Sequence, residues 1–206
     1  MKQKYLSLFI VISCYLSFLS IDFLNIGSPH LSNVLRYIGL VTCALCSFKG
    51  NSNNLKLAMV LTLICDFILL FTEHIIAGIF IFIIVHILHA KRYLNLFNFN
   101  QKYIALPCAI SIIGFSLYYY LTDNLLYGIV LAYAVMLIFS VCITIISTIK
   151  HKNQNVTPVK LMIAMLLFLA CDICIALSTT ILPKADNFIW LFYLPSEWII
   201  SNSQNT

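Results

Sequence analysis

Three carboxylates stand inside long apolar runs, where a charged group has no water. Asp66, Asp172 and Glu197 are so placed, whereas Asp22, Glu73, Asp123 and Asp186 fall at or near the ends of such runs. An unpartnered charge at the centre of a membrane helix costs at least about 2.5–3.5 kcal/mol on insertion scales, so each interior acid needs a role or a partner. Counting from Lys56 and Lys160 at about 1.5 Å per residue, Asp66 lies roughly 15 Å deep and Asp172 roughly 18 Å. At that common level the two carboxyls are expected to face each other. Two acids at low dielectric share a proton, one protonated and one ionised, and this is the arrangement of a general acid beside a base. The plainer alternative is that each Asp hydrogen-bonds a nearby Ser or Thr and holds helices together.

Other side chains could join such chemistry. His86 and His89 are one turn apart and share a helix face, suited to shuttling protons, orienting a carboxylate or binding a metal. Plain hydrogen bonding serves a membrane histidine equally well. A third histidine ligand is wanting, because His30, His74 and His151 fall near run ends, and Cys43/Cys46 and Cys171/Cys174 have metal-like spacing without two further ligands. Neither a metal nor any other cofactor is expected. Glu197 and Ser196 follow Pro195, which removes one backbone N–H; the released carbonyl is expected to line a cavity beside Glu197. The alternative is an ordinary proline kink with Glu197 bonded to a neighbouring helix. There is no Gly-x-Ser-x-Gly elbow and no phosphate-cradling glycine loop among the six glycines, so any catalysis works from the helices.

The elements that must position these residues follow from composition. Of 206 residues 62% are hydrophobic and 9% charged, and the mean hydropathy is +0.98, far beyond what one soluble core consumes; the bilayer is the solvent. Runs such as Ile75 to Leu88 are apolar on every face, which excludes a barrel's alternation and requires helices. Breaks at Gly, Pro, Asn and charges give eight spans: Tyr5 to Leu24, Leu31 to Phe48, Leu55 to Phe71, His74 to Ala90, Lys102 to Leu121, Leu125 to Ile149, Val159 to Leu182 and Phe188 to Ser201. The expectation is an all-α polytopic bundle of eight transmembrane helices, residues 1–206 forming a single transmembrane domain. Lys2 and Lys4 precede a first span that is retained, not cleaved.

A cytoplasmic N-terminus puts Lys2, Lys4, Lys49, Lys56, Lys91, Arg92, Lys102, Lys150, Lys152 and Lys160 inside, leaving Arg36 and Lys184 outside, so both termini are expected to be cytoplasmic, in the inner membrane if the source is bacterial. The net charge of +5 is spread singly between apolar runs, which reads as topology and not as a nucleic-acid surface. Lys56 leading to Cys65-Asp66 and Lys160 leading to Cys171-Asp172 suggest two parallel four-helix repeats, although shared apolar composition mimics such a relation.

With these residues in view, the chain resembles the YhhN-type lysoplasmalogenase family, small eight-helix membrane proteins that hydrolyse the vinyl ether of lysoplasmalogens. Asp66-Phe67-Ile68-Leu69-Leu70, followed by Gly78, Phe82 and His86, resembles the family run Gly-Asp-x-x-Leu then Gly-x-x-x-Phe-x-x-x-His. Phe168-Leu169-Ala170-Cys171-Asp172 is similar to Phe-x-x-Ser-Asp, and Tyr133 with Met136 fits Tyr-x-x-Met. Cys65 and Cys171 replace the family's Gly and Ser, His89 stands where Tyr is usual, and Ser196 or Glu197 falls near the Gln of a Tyr-x-Ala-Gln pattern. The resemblance implies a lysophospholipid substrate with a vinyl ether chain, Asp66 and Asp172 as the catalytic pair, and His86, His89, Tyr133, Ser196 and Glu197 as substrate-binding or proton-relay residues. Besides the lipid bilayer and that substrate, a homodimer is the remaining partner considered, and no nucleic acid. Two other readings stay open: a ceramidase-like, metal-dependent lipid amidase, and a proton-coupled carrier or lipid-binding protein that uses the same acids as a relay.

Overall fold

Polar caps and turns punctuate the chain and apolar runs continue it. In the computed structural model residues 2–24, 26–72, 74–150 and 157–203 are described, residues 2–4 by backbone alone. Eight α-helices occupy them: α1 (Lys2–Leu24), α2 (Pro29–Ser47), α3 (Asn53–Phe71), α4 (Ile75–Leu96), α5 (Ala105–Thr122), α6 (Leu125–Lys150), α7 (Thr157–Thr180) and α8 (Asp186–Asn202). Short 3₁₀ turns at Gln101–Ile104 and Pro183–Ala185 lead into α5 and α8. No strand occurs among the described residues. The eight expected segments are the eight observed helices; α4 runs six residues beyond Ala90 because Lys91 to Leu96 contains no breaker. Glu73, His151 and Lys152 lie outside the described residues.

Local chemistry accounts for the boundaries. Ser28 and Ser52 are N-caps whose hydroxyls accept from the amides of Leu31 and Leu55, each at 3.4 Å, and Pro29 opens α2 at a position that needs no N–H. Asp123 adopts a left-handed conformation (φ 53°) and closes α5, its amide bonding Tyr119 O at 2.8 Å.

Six helices are long and apolar enough to cross a membrane: α1, α3, α4, α5 with its leading turn, α6 and α7. Large apolar side chains such as Leu106, Ile112, Ile113 and Leu117 of α5 are exposed, as befits a surface facing acyl chains. The remaining two helices fall short for physical reasons. The α8 helix has 17 residues and holds Asp186 and Glu197, and α2 holds His30, Asn33 and Arg36. These two pack on each other so closely that a Cβ on Gly39 would stand 2.9 Å from a methyl of Leu194.

Contacts gather the helices into two compact units, residues 1–51 with 160–206, and residues 52–159. The units are not the two sequence halves: α1 and α2 group with α7 and α8, and α3 and α4 with α5 and α6. In the first unit α1 packs on α2 and α2 on α8, and Phe168 of α7 meets Tyr193 of α8 edge to face at 5.4 Å. In the second, α3 packs on α4, and α6 packs on both α4 and α5.

Candidate functional site

The second unit carries most of the expected polar residues. On α3 the buried face runs Leu55, Ala58, Met59, Thr62, Cys65 and Asp66, a 3–4 residue spacing that turns Asp66 inward, 4% exposed. Thr62, one turn earlier on that face, is also buried, and its hydroxyl has no hydrogen-bond partner among the described residues. Cys65 donates its thiol to the carbonyl of Gly78 at 3.0 Å, which ties α3 to the first turn of α4. Leu69 lies over the same glycine; a Cβ there would stand 2.5 Å from its methyl carbon. These contacts set the register of the two antiparallel helices and put Asp66 near the Gly78–Phe82 stretch of α4.

From that level a file of polar groups descends α4. Phe82, His86, His89 and Arg92 recur every three or four residues and all are buried. Tyr133 of α6 stands against both Phe82 (ring centroids 6.1 Å) and His86 (5.2 Å). His89 lies 6.4 Å from His86 and stacks on Tyr93 at 5.8 Å. Arg92 holds its guanidinium over the Tyr93 ring at 5.7 Å and lies within electrostatic reach of His89. His89 is 1% exposed, and neither ring nitrogen has a hydrogen-bond partner among the described residues. Structure thus gathers Asp66, His86, His89 and Tyr133 in one unit and adds Arg92, which sequence reading counted only as a topology charge. A signal was present: Arg92 continues the His86, His89 spacing, whereas Lys91 beside it is exposed.

The first unit holds the other candidates. Glu197 is fully buried on α8, its neighbour Ser196 likewise, and Cys43 of α2 faces Glu197 and Ser201. Asp172 is half-buried, one turn beyond Phe168 on α7. Glu197 is therefore the more enclosed acid of this unit. Asp66 and Asp172 belong to different units.

One expectation is corrected. Pro195 deprives the Leu191 carbonyl of its helical donor, but that oxygen does not look into a cavity: Tyr15 of α1 donates its hydroxyl to it at 2.9 Å. The α8 helix runs on through Pro195 to Asn202.

A third polar group stands in the first unit. Asp22 of α1 and Arg36 of α2 form an ion pair at 2.7 Å, mostly buried. Ser32 donates to the second Asp22 oxygen at 2.7 Å, Asn33 accepts from Arg36 at 3.0 Å, and the guanidinium lies over Phe18 (5.8 Å) and Trp190 (5.2 Å). Among the described residues, no three His, Cys, Asp or Glu side chains converge as a metal-binding group.

Helices long and apolar enough to span a bilayer, with Asp66, His86, His89 and Arg92 buried in one unit and Glu197 in the other, define an all-helical integral membrane protein. The chain belongs to the YhhN family, which it matches over residues 29–204. No curated protein and no solved structure matched it.

Proposed function

We propose that this YhhN-family protein is a membrane hydrolase of the lysoplasmalogenase type, cleaving the vinyl ether of a lysophospholipid to a fatty aldehyde and a glycerophospho-alcohol. The observation that carries this reading is Asp66, a carboxyl enclosed on the packed face of a membrane-spanning helix, in a chain of this family. Vinyl ethers resist base and yield to acid. A carboxylic acid delivers a proton to the β carbon of the alkenyl group, leaving an oxocarbenium ion. Water adds to that cation and gives up a proton to the carboxylate, and the resulting hemiacetal collapses to aldehyde and alcohol. One of Asp66 and Asp172 donates the proton, and the other, ionised, stabilises the cation and steers the water. His86, His89, Tyr133, Ser196 and Glu197 bind substrate or relay protons. The basic residues between spans support both termini on the cytoplasmic side, with α2 and α8 completing eight crossings.

The test is purified protein given lysoplasmalogen or, as control, the ester-linked lysolipid, with fatty aldehyde measured. Aldehyde from the vinyl ether alone, lost in Asp66→Asn and Asp172→Asn proteins that still fold, supports the proposal. Undiminished release from both variants sinks it, and loss of turnover on chelation favours a metal-dependent amidase or hydrolase instead.

A further inference from the structure

Within the second unit the polar file on α4 ends in a cation that the chemistry above does not use. Arg92 is 5% exposed, although it lies only four residues from the end of α4, where a long basic side chain ordinarily reaches out to water. Lys91, one position earlier, does reach out. Beside Arg92 stands His89, buried and with both ring nitrogens lacking a hydrogen-bond partner among the described residues. A buried imidazole in that state is costly, and an acceptor bound from outside the chain is one way such a group is satisfied. We propose that Arg92 and His89 form the subsite for a phosphate ester, the headgroup phosphate of a lysophospholipid, with Tyr93 fixing both side chains by stacking.

Spacing favours this occupant. Helical side chains point back toward the helix N-terminus, so the guanidinium of Arg92 lies near the level of His89, as its electrostatic contact with His89 requires. By the same rule the Asp66 carboxyl leans from the Gly78 level toward that of Phe82. Seven residues of α4 separate the Phe82 level from His89, roughly 10 Å of rise. In a lysoplasmalogen six covalent bonds join the ether carbon of the alkenyl chain to phosphorus, about 7 Å at the reach of an extended chain. With a hydrogen bond of about 3 Å at the phosphate, a phosphate held at Arg92 and His89 brings the vinyl ether up to the Phe82 level that Asp66 leans toward, so the subsite deepens the hydrolase reading and rests on it. The fork of an arginine matches two phosphate oxygens at once.

The experiment separates the subsite from the reaction by using ligands that are not cleaved. Equilibrium binding to the full-length protein in detergent is measured for a saturated 1-alkyl ether lysophospholipid and for the 1-alkylglycerol of the same chain length, which lacks phosphate. The wild type is expected to prefer the phospholipid by roughly tenfold to a hundredfold, the worth of hydrogen bonds to a charged group. Arg92→Gln and His89→Gln should bring that preference toward parity by weakening only the phosphate-bearing ligand. If Arg92→Gln does not yield folded protein, Arg92→Lys, which keeps the charge and loses the fork, should weaken the preference in part. Equal binding of both ligands by the wild type, or an unchanged preference in the folded variants, overturns the subsite.

Glycerol 3-phosphate as a third ligand decides the source: saturable, Arg92-dependent binding identifies a free phosphate ester, and lack of binding identifies the lipid. Aldehyde release is followed in parallel. Selective phosphate-dependent binding with no aldehyde from lysoplasmalogen removes the hydrolase reading and keeps the subsite. Aldehyde release without any phosphate preference does the reverse.

Discussion

Two arginines are enclosed in this membrane protein, and their surroundings differ in kind. Arg36, in the first unit, has Asp22 at 2.7 Å, Asn33 at 3.0 Å and two aromatic faces, with only Nε lacking a partner among the described residues. Its counter-charge is in turn held by Ser32. Arg92, in the second unit, is more deeply enclosed and stands beside a histidine whose nitrogens are unsatisfied. The Arg36 cluster balances its charge and satisfies all but one of its donors, as expected of a group that joins α1 to α2. On α4 it is His89 whose ring nitrogens lack partners among the described residues, and the proposed phosphate subsite rests on that difference. Polar burial alone does not mark function in a bilayer; the unfinished hydrogen bonding does.

Substitutions can break or sharpen this contrast. The largest effect is expected from Asp66→Asn, which should lower aldehyde release by about 10²–10⁴-fold, the usual worth of a positioned general acid, while the unfolding temperature in detergent changes little. Arg36→Gln or Asp22→Asn should act the opposite way. Removing one partner of an enclosed ion pair costs about 3 kcal/mol, so thermal unfolding shifts downward, yet turnover per folded molecule stays at the wild-type value. A double Asp22→Asn/Arg36→Gln protein should recover part of that loss.

Tyr15→Phe comes next. It strands the Leu191 carbonyl that Pro195 releases, a loss of about 1–2 kcal/mol, and adding Pro195→Ala should offset it because residue 195 then supplies the helical N–H. The smallest effect is the most diagnostic. His89→Phe keeps the stack on Tyr93 and removes two unsatisfied nitrogens, so it should raise stability by about 1 kcal/mol while reducing the preference for phosphate-bearing ligand. A destabilised His89→Phe protein with intact preference would assign His89 to the core and dissolve the contrast.

Much of this protein was legible before any coordinates. Eight helices, their boundaries to within three residues except at the end of α4, and the inward lean of Asp66 follow from apolar runs, capping serines and a 3–4 residue spacing, all of them local properties. Membership of the YhhN family was visible in the motifs around Asp66, Gly78, His86 and Asp172. The role of Pro195 was misread in part: the loss of its N–H is local, but the hydroxyl that meets the released carbonyl comes from Tyr15, 176 residues before Leu191. Likewise local sequence does not show that Arg36 of α2 meets Asp22 of α1, or that α2 packs on α8 with Gly39 against Leu194.

Sequence by itself determined where the chain enters helices and which solvent surrounds them, because hydrogen bonding of the backbone and transfer of apolar side chains are settled within a run of about twenty residues. Which charges are enclosed, and whether their hydrogen bonds are complete, was decided only by the tertiary structure. Arg36 and Arg92 are the same residue type on similar helices. What separates them is the neighbouring side chains: α1 brings Asp22 to one, and the other stands beside His89 and Tyr93 of its own helix.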